Sequence, residues 1–185
     1  MKRIMLTIAA AACLIAPAAA QGPTDQEMID RSLLGAPANM RAAAQVIKWD
    51  ASGKRVVIKE GTNGMACWDQ SVWPGQRPFS VHCTSVGSLE RVEQNREAFY
   101  KAGNKADGEK LLKEMEANKT RKLPEYGAGH YGLEGNDQAT ARPHVTIAAP
   151  FATTDNAKLP TKNPGASAWL MDAGTSGAHI MIPGH

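Results

Sequence analysis

Apolar residues change their spacing several times along this chain, and each change predicts a different element. A continuous apolar run from Ile4 to Ile15 follows Lys2 and Arg3, and Ala18 and Ala20 then supply an A-x-A cleavage pattern. This is the make-up of an export signal over residues 1–20. Over residues 24–34, Met28, Ile29, Leu33 and Leu34 fall close to one helical face behind Thr24 or Asp25 as cap, and Gly35 and Pro37 end the helix. From Gln45 the spacing shortens to β-type runs: Val46, Ile47 and Trp49, then Val56 to Ile58, then Met65 to Trp68. Turn residues Asp50 to Gly53 and Asn63-Gly64 separate them. Asn-Gly tolerates positive φ at both central turn positions, so the three runs predict an antiparallel meander.

Residues 69–80 hold Pro74, Gly75 and Pro78 and read as a loop carrying Val72, Trp73 and Phe79. Helical spacing returns with Ser88 as cap, places Leu89, Val92, Phe99 and Tyr100 on one face, and stops at Gly103. A second helix is expected over residues 107–119, burying Leu111, Leu112 and Met115. Its charges read as a solvated face, with Glu109 and Lys113 at ion-pair spacing. Residues 124–142, rich in glycine and polar side chains, read as a long irregular segment that holds His130 and Tyr131. Val145 to Ala149, Ala168 to Met171 and Ala178 to Ile182 predict closing strands, the last two as a hairpin across residues 172–177. Strands at both ends with a helical pair between them predict an α+β fold on an antiparallel sheet. The expected division is a signal peptide over 1–20, an N-terminal helix and linker over 21–44, and one α+β domain over 45–185.

Composition narrows the function classes. Cleavage after Ala20 leaves 165 residues with 19 basic and 18 acidic side chains, a formal charge of +1 where the full chain has +3. Basic and acidic residues are interleaved throughout, which argues against a nucleic-acid partner. No later stretch approaches the roughly 20 apolar residues that a membrane span requires. The expected location is periplasmic or secreted. A competing reading lipidates Cys13 behind Ala10 to Ala12, but the position before those small residues lacks the usual Leu, and the downstream A-x-A is cleaner.

An oxidising compartment makes Cys67 and Cys83 a disulfide pair before anything else. Two cysteines sixteen positions apart without C-x-x-C are a poor redox or zinc motif. His82 beside Cys83 would be needed to activate a thiolate, yet sequence neighbours often point apart. Among the other histidines, His144 and His179 each stand at the mouth of an apolar strand. If the strands match ends, both imidazoles face one cavity and can share acid–base roles. With His130 they make a conceivable metal set, beside Glu134 or Asp172, though no H-E-x-x-H motif is present and no cofactor is called for. A histidine that merely bonds a backbone carbonyl at a sheet corner is the ordinary alternative. Trp73 and Tyr131 are the candidates to border a ligand cleft.

His144-Val145-Thr146-Ile147 resembles the H-x-T-x signature of the two-histidine phosphoesterases, whose paired motifs hold a phosphate between two imidazoles. His179-Ile180-Met181 lacks the second hydroxyl residue, and its spacing of 35 from His144 is short for two lobes. Glu60-Gly61-Thr62-Asn63-Gly64 with Cys67, Pro143-His144, and Trp169 leading to Ala178-His179-Ile180-Met181-Ile182-Pro183 resemble a family of uncharacterised exported bacterial proteins. That resemblance covers residues 46–185 discontinuously and implies that the terminal segments belong together. It implies no activity. The function expected is a non-catalytic module binding a small molecule or an envelope component; the alternative is a small hydrolase or metal-binding protein using His144 and His179.

Overall fold

A computed structural model describes residues 22–183. The expected signal peptide and Cys13 lie outside the described residues, as does His185. Eight strands form one mostly antiparallel sheet: β1 (Gln45–Trp49), β2 (Arg55–Lys59), β3 (Met65–Asp69), β4 (Phe79–Ser85), β5 (Gly129–Gly135), β6 (Arg142–Ala148), β7 (Trp169–Met171) and β8 (His179–Met181). Their spatial order is β2-β1-β3-β4-β5-β6-β8-β7. The helices are α1 (Asp25–Ser32), α2 (Leu89–Ala102), α3 (Lys105–Ala117) and the four-residue α4 (Thr154–Ala157). The α+β class, the inserted helical pair and the Cys67–Cys83 disulfide are all present. Among the described residues no helix is long and apolar enough to cross a membrane.

The N-terminal meander is corrected. β2 pairs antiparallel with β1 as expected, but β3 lies on the other side of β1 and runs parallel to it. Burial explains the exchange. Met65, Ala66, Cys67 and Trp68 are all buried and belong inside the sheet, whereas Arg55 and Val57 of β2 are exposed and suit an edge. The crossing is tight: a Cβ on Gly61 would stand 2.1 Å from the Gln45 nitrogen, so only glycine can pass the start of β1. Asn63 then binds the preceding 3₁₀ segment, donating from Nδ2 to the Met40 carbonyl at 2.9 Å, while Gly64 turns at φ +73°. Asn63-Gly64 thus closes a crossover instead of a hairpin.

Two strands replace expected loops. β4 begins at Phe79, inside the segment 69–80 read as a loop, and β5 occupies the middle of the glycine-rich stretch 124–142. The spaced pair expected between Glu109 and Lys113 is made instead by Lys105 and Glu109 at 3.9 Å.

Each face of the sheet has its own cover. α1 and the following 3₁₀ turns lay Ile29, Leu33, Ala36 and Met40 over Val46, Cys67 and Cys83. On the opposite face, α2 lays Leu89, Val92 and Phe99 over Ile47, Ala66 and Trp68. That second cover ends near β4. Toward β5, β6 and β8 the face opens into a cleft walled by Arg91 and Asn95 of α2, and its floor carries the polar side chains described next.

Candidate functional site

Strand register brings the chemistry together. Side chains alternate across a strand, so Ser80, His82 and Thr84 of β4 point to the face away from Phe79, Val81 and Cys83. His82 therefore turns away from the disulfide and activates no thiol. His82 pairs with Gly132 of β5, and Gly132 pairs with His144 of β6. Ser80, Glu134 and Arg142 form the row on one side by the same registers, and His130 pairs with Thr146 on the other. β8 adds His179 opposite Ala148.

These positions floor a cleft of 880 Å³ that holds His82, His130, His144 and His179 together with Arg77, Arg91, Arg121 and Arg142. Glu134 and Asp172 are its acidic members. His144 and His179 both line this cleft, although β6 and β8 run antiparallel and do not bring matching ends together. They stand four β6 positions apart, about 13 Å at about 3.3 Å per residue, so they do not form a close pair. His179 donates its Nδ1–H to the Gly177 carbonyl at 2.8 Å, since a carbonyl only accepts. Its Nε2 is the nitrogen left for the cleft.

At the centre is a chain of three side chains. Glu134 Oε1 lies 2.9 Å from His82 Nε2, and His82 Nδ1 lies 3.0 Å from His130 Nε2. Ser80 Oγ sits 2.9 Å from the same His82 Nε2. This is no nucleophile–histidine–acid relay, because hydroxyl and carboxylate share one ring nitrogen. The His82 ring is buried, stacked on Trp68 with centroids 5.8 Å apart and fitted over Gly132. A Cβ at Gly132 would come 3.1 Å from two of its ring atoms.

The charges follow from this packing. The hydrogen bond from His82 holds the Glu134 carboxyl down to about 2, against the opposing effect of burial. Burial pushes His130 down to about 3, and the neighbouring His82 and His144 act in the same direction. His144 is also lowered, mainly by burial, with Glu134 opposing. His130 is thus neutral near pH 7.

Helix α2 and the segment after α3 supply two of the cations. Arg91 of α2 donates to the Lys122 carbonyl and, at 3.1 Å, to Ser176 Oγ. Arg121 donates to Gln94 Oε1 at 3.1 Å. Burial brings Arg121 down to about 10, and the like charge of Arg91 adds to the effect. Glu116 partly offsets both, held in place by the Ser176 N–H at 2.7 Å and the Ser176 hydroxyl.

Neither of the two residues expected to border a ligand cleft lines this space, although Trp73 lines a smaller cavity beside it. Trp73 is 3% exposed, edge-on to Trp49 with centroids 5.5 Å apart, because its loop folds back beneath α2 into the core. Tyr131 points to the opposite face from His130 and packs against the disulfide cluster. Among the described residues no three His, Cys, Asp or Glu side chains are grouped to hold a metal ion, so His130, His144 and His179 do not form the conceivable metal set. Sequence reasoning missed His82 and the arginines as site members. A signal for His82 was present: His82-Cys83-Thr84 repeats the H-x-T spacing of His144-Val145-Thr146. The two motifs flank Gly132 on neighbouring sides, but both ring nitrogens of His82 are taken by protein groups. No phosphate can sit between this pair of imidazoles.

Comparison with protein-family models, with curated proteins and with solved structures finds no match to the chain.

Proposed function

We propose that this is an exported protein that binds a small anionic ligand, one bearing a phosphate or carboxylate, in the histidine–arginine cleft. The observation that carries the reading is the imbalance of charge in the cleft: four arginines against Glu134 and Asp172, in a chain whose formal charge is only +3. Burial lowers the proton affinity of both Arg91 and Arg121, and Arg91 lowers that of Arg121 further while Glu116 opposes on both, so an anion beside them would offset the cost of burying their charge. The Cys67–Cys83 disulfide supports an oxidising location. Isothermal titration with phosphate, sulfate and citrate at low salt tests the binding. Wild type should bind at least one of them, and Arg121→Gln with Arg142→Gln should weaken that binding at least tenfold. Equal affinity in the double variant defeats the reading.

A hydrolytic reading rests on the Glu134–His82–His130 chain, which can take up a proton at the cleft and hold the charge beside a carboxylate. Its test is turnover of p-nitrophenyl esters and phosphates. Activity that disappears in His130→Gln and His82→Gln supports catalysis, and turnover unchanged in both removes it.

A further inference from the structure

The four arginines of the cleft gather at its two ends. Arg142 opens β6, and Arg77 precedes β4, whose Ser80 is joined in register through Glu134 to Arg142. Arg91 marks the other end. Its Nη2 lies 3.0 Å from the position a Cβ on Gly177 would take, and its Nη1 donates to Ser176 Oγ at 3.1 Å. The neighbouring Ala178 carbonyl accepts from the Ala149 nitrogen at 2.9 Å, which places this guanidinium beside the residue that follows β6. Arg121 is its like-charged neighbour.

The length of β6 keeps these ends apart. Arg142 and Ala149 are separated by about 23 Å at about 3.3 Å per residue. An arginine carries its guanidinium carbon five bonds from Cα, and at about 1.5 Å per bond it reaches less than about 7 Å. Even with Arg142 laid along the strand, about 16 Å remains to Arg91. A charge-assisted hydrogen bond needs about 2.8 Å between heavy atoms, so one carboxylate or phosphate cannot serve both ends.

Both ends keep donors for a ligand. Arg77 and Arg142 line the cleft, and among the described residues neither is held by a hydrogen bond or an ion pair. Glu134, the acid beside Arg142 in register, is turned to Ser80 and His82 instead. At the far end Arg121 spends one Nη on Gln94 and has further N–H groups to give, although Glu116 and Asp172 offset part of the charge there. Between the ends the cleft offers His130, His144, Thr146 and Asn95. Burial keeps both imidazoles uncharged near pH 7. A ligand charged along its whole length finds no counter-charge in this stretch, and a plain alkyl chain leaves its polar groups without partners.

We infer that the ligand is an elongated dianion, with one phosphate or carboxylate on Arg77 and Arg142, a second on Arg91 and Arg121, and an uncharged, hydrogen-bonding spacer over the imidazoles between them. This rests on the anion-binding reading above and adds the second charge and the length. With each anion docked on the inner side of its arginines, the two anionic centres stand roughly 8 Å or more apart.

The test is calorimetry with a ruler of fixed charge. Malonate and the bis(carboxymethyl) ethers of ethylene glycol and diethylene glycol are all dianions and differ in the reach between their carboxylates; methoxyacetate and inorganic phosphate supply the single anion. At least one of the two ethers should bind one per protein and at least fivefold more tightly than malonate and methoxyacetate, because its second end binds at the effective concentration the spacer sets. Arg142→Gln and Arg121→Gln, each removing a cation from one end, should each bring that ether to within twofold of malonate on the same variant. Thermal melts of both variants establish that they fold. Binding of phosphate or malonate with no gain for either ether, or a gain that survives one of the two substitutions, overturns the inference and leaves the anion reading standing. Failure of every probe to bind overturns both.

Discussion

His130 is the residue whose environment makes the most direct claim on pH behaviour. Its folded-state pKa of about 3 lies below the 6.5 of the free side chain, so between those values the unfolded chain takes up a proton that the native protein refuses. Native stability must therefore fall as pH drops through that window, by up to about 1.4 kcal/mol per pH unit. Glu134 acts in the same direction but later: held down to about 2, its stabilising contribution is complete above its ordinary value of 4.5 and is lost below it. Urea denaturation at pH 7, 6 and 5 separates the two. Wild type should lose stability across these steps, His130→Gln should flatten the loss, and Glu134→Gln should not. A profile unchanged by His130→Gln contradicts the buried neutral imidazole. Gly132 sets a second expectation at this scale. An added methyl meets the His82 ring at 3.1 Å, and that ring is tethered through both nitrogens. Gly132→Ala should break the His82–His130 hydrogen bond, seen as altered ring-nitrogen shifts in NMR spectra, while the sheet persists.

Elements are held by features that sequence spacing only partly reveals. Gly108 sits within α3, where alanine would ordinarily stabilise the helix by about 1 kcal/mol. Here the added Cβ would stand 2.3 Å from the Phe99 ring of α2, and overpacking of that kind costs roughly 1–3 kcal/mol. Gly108→Ala should therefore lower stability by about 1 kcal/mol, against the propensity scale, as read by denaturant midpoint. Cys67 and Cys83 face each other directly on β3 and β4. Closing a loop of sixteen positions restricts the unfolded chain by roughly 3 kcal/mol, and replacing both cysteines with alanine should cost about that much. The helices α2 and α3 were legible because their apolar residues keep a helical spacing. β4 was not, although Phe79, Val81 and Cys83 alternate cleanly: the residues between them are Ser80, His82 and Thr84, which look like solvent-facing positions and are in fact buried. β5 was hidden by its glycines. They read as loop, but Gly132 makes room for His82 and Gly129 for Tyr131, so each missing side chain accommodates a ring. His144 and His179 were visible as strand-mouth residues. His82 and the arginines were not, because the cleft is assembled by register and by the α2 wall, neither of which local spacing encodes.

At the scale of the molecule, one face of the sheet is covered along only part of its width, and the uncovered part gathers cations. Filling it with an anion should stabilise the fold by linkage, about 2.7 kcal/mol when ligand is at 100 times Kd. Phosphate and sulfate stabilise many proteins without binding a site, by exclusion from the surface, so a raised melting temperature alone says little. The informative quantity is the difference between wild type and Arg121→Gln at matched ionic strength. Surface exclusion and general screening act almost equally on both. Site binding does not, because Arg121 lies in the cleft wall with Arg91 as a like-charged neighbour. Replacing sodium chloride by sodium phosphate should therefore raise the wild-type melting temperature by several degrees more than that of Arg121→Gln, since for a domain of this size about 1 kcal/mol moves the transition by roughly 2–4 °C. Equal phosphate responses in the two proteins would mean that the cations of the cleft do not act together on a ligand.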